Sequence, residues 1–321
     1  MAQKSDTPRA GLDYPKTWVQ FLDWFHAEDS CREFLENLRW PNGFQCPKCG
    51  EFGEPTRSTR GRLMCRKCKF QASATSGTIF DKTRTELRIW FAAIWYVTNQ
   101  KQGVNALGLQ RVLGLGSYET AWTMLHRLRR AMIRPGRDLL KGEVEVDETY
   151  LALGQRSFPV DSKARPRKTT KALVAVAVEK QAKGFGRIRL CRIERGSRMT
   201  LESFIQNSVE PGSMVHSDGS WAYQKLEEIG YSHKRTVHLG SDVPAHESMP
   251  AVHRVASLLQ RWLMGTHHGA VQPSQLDYYL DEFVFRFNRR TSRSRGLLFY
   301  RLLQQAVATG PVTYGDVVAN C

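Results

Sequence analysis

Two aspartates and one histidine lie at positions where side-chain chemistry is expected. Asp147 lies in Glu-Val-Glu-Val-Asp-Glu (143–148), and Asp218 lies in Met-Val-His-Ser-Asp-Gly (214–219). Each aspartate ends a short run of residues that is typical of a strand. His253 follows Asp218 by 35 residues, in a segment with helical spacing. Because an unpaired acid is costly to bury, carboxylates at strand ends predict metal ligands or catalytic groups.

Two aspartates brought together from separate strands are suited to holding divalent cations for phosphodiester chemistry. Mg²⁺ takes oxygen ligands and keeps waters, and a pair of such ions stabilises both the attacking and the leaving oxygen. Glu143, Glu145 and Asp147 recur at every second residue and therefore share one face of a strand. For Asp218, which precedes a glycine, the alternative is a turn or a cap.

The third group of the predicted site is His253, beside the apolar stripe of its helix. A neutral imidazole is a poor ligand of Mg²⁺ and an adequate one of Mn²⁺. It can instead take a proton from water or give one to a leaving oxygen. A hydrogen-bonded structural histidine is the alternative, and Glu148 and Glu247 are further candidates for this place.

Four cysteines upstream form a metal-binding pattern. Cys46-Pro-Lys-Cys49 and Cys65-Arg-Lys-Cys68 are separated by 15 residues. This spacing predicts a zinc ribbon, in which four thiolates close a tetrahedron and leave no open position. A redox dithiol would need only one such pair. An odd number of cysteines remains, which fits a reducing compartment better than a secreted disulfide framework.

The chain is strongly basic, with 47 Lys and Arg against 31 Asp and Glu and a net charge of +16. Such a charge attracts polyanions and speeds their capture. The alternatives are a charge that serves solubility and the binding of ribosomal RNA. No run reaches the roughly 20 apolar residues of a membrane span, and the first residues lack an apolar signal core. We therefore expect a cytoplasmic, nucleoid-associated protein with no membrane partner.

Composition and periodicity divide the chain into five segments. We expect an N-terminal helical segment (1–40), the zinc ribbon (41–80), a helix-turn-helix-like region (81–138), a catalytic domain (139–310) and a tail (311–321). The catalytic segment has three strands, then a helix, a strand, a helix, a strand and further helices. That order predicts an α/β fold of the RNase H-like kind, a mixed sheet flanked by helices.

Local signals add expectations that the structure can test. Residues 16–38 are predicted to be helical, as are 221–229, and Thr200 is expected to cap a helix over 200–208. Ser117 follows a Gly-rich turn and is typical of an N-cap. The helices around this turn predict a DNA-binding helix-turn-helix, against the alternative of an ordinary helical hairpin with a solvated basic face.

Eight polar side chains are predicted to contact DNA. They lie on the cysteine knuckles, late in the second helix of the helix-turn-helix, in the basic loop 155–171, on the helix of His253 and in the basic stretch 286–301. The residues are Lys48, Lys67, Arg127, Arg130, Lys168, Gln260, Arg289 and Arg290.

Together these features resemble the insertion-sequence transposases that join a zinc ribbon to an RNase H-like catalytic domain of the ISXO2-like type. The resemblance covers nearly the whole chain and rests on the order of its motifs. These motifs are residues 38–49, 75–80, 144–150, 216–219, 265–269 and 281–290.

The resemblance implies a DDE-type reaction on double-stranded DNA. Water cuts at the terminal inverted repeats of the element, and the freed 3′-hydroxyl attacks target DNA. It implies that Asp147 and Asp218 bind Mg²⁺ or Mn²⁺, and that His253 fills the third position, which is Asn, Glu or His in the wider family. Gln260 stands where the family often has a lysine.

The resemblance also implies a structural Zn²⁺ and a synaptic complex of at least two copies of the chain. Two other functions stay open at this point. One is a catalytically impaired DNA-binding descendant of a transposase. The other is a nuclease without strand transfer.

Overall fold

The computed structural model describes residues 7–59, 61–134, 136–153, 170–237 and 245–319. The chain divides into two compact units. The first comprises Met1–Arg134 and Ser292–Val317, and the second comprises Pro135–Thr291 and Val318–Cys321. The five predicted segments stay predictions, because a compact unit need not coincide with a functional domain.

The described helices are, in chain order, α1 (Trp18–Trp24), α2 (Glu28–Arg39), α3 (Leu87–Asn99), α4 (Ala106–Leu113), α5 (Tyr118–Ala131), α6 (Arg198–Ser208), α7 (Ala245–Ser248), α8 (Pro250–His267), α9 (Leu276–Asn288), α10 (Arg295–Ala308) and α11 (Tyr314–Ala319). The strands are β1 (Thr56–Arg57), β2 (Leu63–Met64), β3 (Gln71–Ala72), β4 (Glu143–Leu153), β5 (Thr170–Lys180), β6 (Phe185–Ile193), β7 (Met214–Asp218) and β8 (Ser232–Thr236).

The first unit is built on aromatic side chains. The Phe25 ring lies 4.8 Å from Phe91 and 5.1 Å from Phe34, measured between centroids. Residues 16–38, which are predicted to be helical, form two helices, since the first ends at Trp24 and the second begins at Glu28. The interruption coincides with the burial of Phe25 in this cluster.

Two consecutive helices, α4 and α5, follow in the same unit and are joined by a short turn. Gly114 ends α4 with a φ of 62°, in the left-handed region that favours glycine. Ser117 caps α5, and its hydroxyl accepts a hydrogen bond from the Thr120 amide. The predicted cap and the predicted pair of helices are both confirmed.

The second unit contains a five-stranded mixed sheet in the order β6-β5-β4-β7-β8 among the described residues. Strands β4, β5 and β6 pair antiparallel, while β7 runs parallel to β4 and β8 runs parallel to β7. This is the RNase H-like arrangement that the sequence predicts.

Alternation along β4 assigns its side chains to two cores. Val144 and Val146 pack on the side of α6, whereas Leu151 and Leu153 pack on the side of α8 and α9. Odd-numbered residues of β4 therefore face α8, because successive side chains of a strand point to opposite faces. Glu143, Glu145 and Asp147 therefore face α8 as well, whereas Glu148, the fourth acid of β4, faces the α6 side.

Two local predictions in this unit need correction. Helix α6 is capped by Ser197 and not by Thr200, whose amide donates to the Ser197 hydroxyl from within the first turn. Both residues can cap a helix, so the sequence did not fix the starting turn. Residues 221–229 form two 3₁₀ turns, Trp221–Tyr223 and Glu227–Ile229. The second turn ends at Gly230 with a φ of 91°.

Glu145 joins β4 to the start of α8. The side chain has no exposed surface. Its Oε2 accepts hydrogen bonds from the Ala251 amide at 2.8 Å and the Val252 amide at 3.1 Å. Its Oε1 lies 3.7 Å from Nζ of Lys180. The N-terminus of a helix has amides without helical partners and a positive dipole end, so an anion stabilises it.

Glu145→Ala should lower the free energy of local opening of α8 by about 2 kcal/mol, because two buried amides lose their acceptor. Hydrogen–deuterium exchange of peptides from the first turns of α8 measures this directly. Glu145→Gln keeps one oxygen acceptor and should fall between alanine and wild type. Glu143→Ala is the matched control, since Glu143 is partly exposed and pairs with the same lysine. Equal protection of α8 in the two alanine variants would refute this role of Glu145.

Candidate active site and zinc ribbon

Asp147 and Asp218 lie on neighbouring strands. The parallel ladder between β4 and β7 ends at the pair Glu145–His216. Continued two residues past the last pair, the same register puts Asp147 level with Asp218. Neighbouring strands lie about 4.8 Å apart, and both aspartates face the side of the sheet that carries α8. The two carboxylates thus come from separate parts of the chain to the same end of neighbouring strands, and their joint role in a metal site stays a prediction.

Each carboxylate also has a local hydrogen bond. Asp147 Oδ1 accepts from the Glu148 amide at 2.8 Å, and Asp218 Oδ1 accepts from the Ser220 amide at 3.0 Å. The turn role considered for Asp218 is thus present, and it is compatible with metal binding. One oxygen of each carboxylate is oriented by the backbone, while carboxylates have further lone pairs for a cation.

Glu148 is a third carboxyl near the two aspartates, on the opposite face of β4. Burial raises its pKa to about 7, and repulsion from Asp147 and Asp218 adds to the rise. Its Oε1 lies beside Gly196, where an added Cβ would stand 3.3 Å away. The Tyr223 hydroxyl is also near this carboxyl and has its pKa raised by burial first and by Glu148 second. No well-aligned hydrogen bond to the hydroxyl is present among the described residues.

His253 lies in the first turns of α8, directly after the two amides that Glu145 holds. The side chain is half-buried. Glu145 is two residues before Asp147 on the same face of β4, so this anchor brings the start of α8 to the aspartates. Glu247, an alternative to His253 as the third group of the site, lies in the short helix α7 and is exposed.

His216 supports the same face of the sheet. It is almost fully buried, and its Nε2 lies 2.7 Å from the Thr236 hydroxyl of β8. Burial lowers its pKa to about 4, and the cations of Lys234 and Lys180 contribute. The imidazole is therefore neutral at pH 7. The sequence alone does not reveal the roles of Glu145, His216 and Tyr223, since each depends on contacts with other strands or helices.

The four cysteines of the predicted ribbon converge. Sγ of Cys46 lies 3.6 Å from that of Cys68, and Sγ of Cys49 lies 3.7 Å from that of Cys65. All four sulfur atoms lie within 4.8 Å of one another. Zinc–sulfur bonds of about 2.3 Å in a tetrahedron set sulfur atoms about 3.8 Å apart. The cluster therefore fits a zinc ion.

The predicted DNA-contacting residues fall into two groups. Lys48, Arg130 and Gln260 are exposed, and exposed Lys67 pairs with Glu51 at 2.6 Å. Side chains in this group are accessible to a phosphate. Lys168 lies outside the described residues.

The other three arginines contact their own unit. Arg127 donates to the carbonyl of Ile79 at 3.3 Å, and burial lowers its pKa. Arg289 and Arg290 stack on Phe285 and Phe287, each 4.1 Å from the ring centroid. Arg290 also donates to carbonyls of Phe185 and Gly186. Their predicted contact with DNA stays a prediction, and in the structure Arg127 and Arg290 also tie elements together.

Two family models match this chain. Residues 139–288 match the ISXO2-like transposase domain, and residues 26–71 match the transposase zinc-ribbon domain. Together the two matches cover more than half of the chain. The aspartates lie within the transposase-domain match, and the four cysteines lie within the zinc-ribbon match. The chain belongs to the insertion-sequence transposases of the ISXO2-like family.

A relative extends the comparison along the chain. A protein of the transposable element ISH50 from Halobacterium salinarum is 27% identical over 274 residues, which is 82% of this chain and 91% of that protein. The match spans far more than either domain, as expected of an ISXO2-like family member.

Solved structures show only distant likeness. The Mos1 strand transfer complex is 15% identical with a TM-score of 0.29 and covers 74% of this chain and 78% of its own. The catalytic core domain of BIV integrase is 13% identical with a TM-score of 0.29 and covers 48% and 86%. The RNase H-like character of the second unit lies in the order and direction of its strands. Within the described ranges, no helix combines the length and apolarity that crossing a bilayer requires.

Purified protein should contain about one zinc ion per chain, since four cysteines close one tetrahedral site. Cys46→Ser should lower the zinc content by at least half and expose the ribbon to proteolysis, because the metal supplies much of its folding energy. Atomic emission spectroscopy and limited trypsin digestion measure the two effects. Cys191→Ser is the control, as this exposed cysteine lies outside the cluster. Unchanged zinc content in the Cys46 variant would contradict the assignment.

Proposed function

We propose that this transposase cuts DNA at the terminal inverted repeats of its element and joins the freed end to target DNA. Membership of the ISXO2-like family supports the reaction class, and the register that sets Asp147 across from Asp218 supports the site. The second of these observations carries the proposal, because metal-dependent phosphodiester chemistry needs carboxylates at one place.

Asp147 and Asp218 are the proposed ligands of Mg²⁺ or Mn²⁺. When bound, such ions stabilise negative charge on the phosphate and on the attacking and leaving oxygens. The two aspartates hold one carboxylate oxygen each in a backbone hydrogen bond, and this fixes the direction of the other oxygen. Glu148 is a further carboxyl near both aspartates, and burial raises its pKa to about 7.

His253 is proposed to complete the site from α8. As a neutral imidazole it can accept a proton from the attacking water or 3′-hydroxyl, or ligate Mn²⁺. In each step one phosphorus–oxygen bond forms and another breaks, and the leaving 3′-oxygen takes up a proton. Glu145 positions this histidine through the two amides before it.

DNA is the proposed partner of both units. The net charge of +16 favours it, as do the exposed cations Lys48 and Arg130. In the helix-turn-helix, α5 is the proposed reading helix. Assembly of two or more copies on paired ends is proposed from the family alone.

Asp147→Asn and Asp218→Asn should each reduce cleavage of end-labelled terminal-repeat DNA by at least a hundredfold and change its affinity little. The reason is that each variant loses a metal ligand while the basic surface remains. Gel assays with Mg²⁺ or Mn²⁺ report cleavage and joining, and binding is measured without metal. Glu228→Gln is the control, since Glu228 forms an exposed pair with Lys225.

The same assay separates the three candidate functions. Cleavage with a joined product supports the transposase, and cleavage without joining supports a nuclease. Binding without cleavage supports an impaired descendant. Cleavage retained in either asparagine variant would contradict the proposed site.

Gln260→Lys should strengthen binding of terminal-repeat DNA by two- to fivefold at low salt. Position 260 is exposed on α8, so the lysine would make one more phosphate contact. The slope of log K against log salt concentration (the salt slope) would then steepen by about 0.9. Fluorescence anisotropy over a salt series measures both quantities. Gln272→Lys places the same charge at another exposed site of the unit and serves as the control. Equal gains in both variants would mean that position 260 has no special contact.

A further inference from the structure

A groove of about 1110 Å³ lies along the edge strand β6 and the start of α6. All its described lining residues belong to the second unit. Arginines dominate the charge of this lining, with a single acid among them. The charged residues are Arg137, Arg192, Glu194, Arg195 and Arg198. The groove therefore presents positive charge to solvent.

The exposed arginines of the groove differ in how far they are already engaged. Arg192 donates to the Pro273 carbonyl at 2.9 Å and lies 3.4 Å from Asp277. Arg198 lies 3.7 Å from Glu202, a partly exposed pair of the kind that holds a side chain weakly. Arg195 is exposed. Arg195 and Arg198 are thus the guanidinium groups best placed to take an anion.

Trp221 lines the same groove and is 63% exposed, which is unusual for so large an apolar side chain. Its backbone is well fixed. Ser220 before it donates to Asp218 and caps the 3₁₀ turn, while Ala222 and Tyr223 after it are buried. The indole is therefore displayed on a rigid turn, three residues from a proposed metal ligand.

The groove also adjoins the carboxylate cluster. Gly196 lies between the lining residues Arg195 and Ser197, and Glu148 Oε1 lies beside it. Glu148 in turn is next to Asp147. Trp221 is thus three residues along the chain from Asp218, and the segment of Arg195 approaches Glu148, the neighbour of Asp147.

Arginine beside an exposed aromatic ring is the combination that binds single-stranded nucleic acid, with phosphates on the cations and bases stacked on the ring. A base within a duplex offers no free face. We propose that this groove holds an unpaired stretch of the DNA strand at the cleavage site, with one base stacked on Trp221 and its phosphates on Arg195 and Arg198. The assignment rests on the proposed function, since it names the part of the DNA substrate that this site receives.

The test compares DNA probes in buffer without divalent ions, so that none is cut. One probe is a blunt duplex. The other two are duplexes that carry a single-stranded overhang of five nucleotides, at a 3′ end in one probe and at a 5′ end in the other. Trp221→Ala should weaken binding of at least one overhang probe about tenfold and leave the blunt duplex nearly unchanged. Trp221→Phe should recover part of the loss. Arg195→Ala should lower the salt slope for that overhang by about 0.7.

Lys183→Ala removes an exposed cation from the turn between β5 and β6 and should bind all three probes like wild type. Equal losses on overhang and blunt probes, or no loss, would overturn the assignment. Thymidine monophosphate that displaces the overhang at similar concentration would do so too, since it would indicate a free-nucleotide site. If wild-type protein cuts terminal repeats but Trp221→Ala keeps its affinity for the overhang probes, the proposed role of the groove is refuted and the proposed function is not. Failure of wild type to bind any probe would refute the proposed function as well.

Discussion

One buried carboxylate joins the two parts of the proposed active site. Glu145 lies on the strand that carries Asp147, and it accepts hydrogen bonds from the first amides of the helix that carries His253. A fully buried acid is costly unless it is hydrogen-bonded or paired. Here two amides and the nearby Lys180 compensate that cost. The position of α8 over the sheet, and so of any group on its first turn, depends on this contact.

The sheet supplies the other constraint. Strands β4 and β7 are far apart in the chain and parallel in space, so one register decides whether the two aspartates meet. A shift by a single residue would turn one carboxylate to the opposite face. Buried Val144 and Val215 pair in this register on the α6 side. Packing of these valines on the α6 face thus sets the register that orients the two aspartates on the α8 face.

Much of this arrangement is visible in the sequence. The period-two acids of β4, the apolar run of β5 and the paired cysteines each have a local pattern, because strands and knuckles are set by neighbouring residues. What the sequence does not show comes from longer contacts. The bond between Glu145 and α8 spans 106 residues, so no pattern near Glu145 distinguishes its role from that of Glu143.

Other differences have equally physical causes. Ser197 and Thr200 are both good caps, so only tertiary packing chooses the first turn of α6. Arg127 belongs to a basic helix by sequence, and burial against the Ile79 carbonyl is a matter of packing. Trp221 is apolar and was expected within a helix, yet the structure displays it on a short turn. Charge and hydrophobicity alone do not decide which face a side chain occupies.

The central claim is that Asp147 and Asp218 share divalent cations. Fe²⁺ can replace Mg²⁺ at oxygen-rich sites, and with ascorbate and peroxide it cuts the backbone near where it is bound. Mapping these cuts by mass spectrometry tests the claim most directly. We expect cuts near residues 147 and 218 in the same sample, both suppressed by excess Mg²⁺. Cuts near only one aspartate, or cuts that Mg²⁺ leaves unchanged, would contradict the shared site.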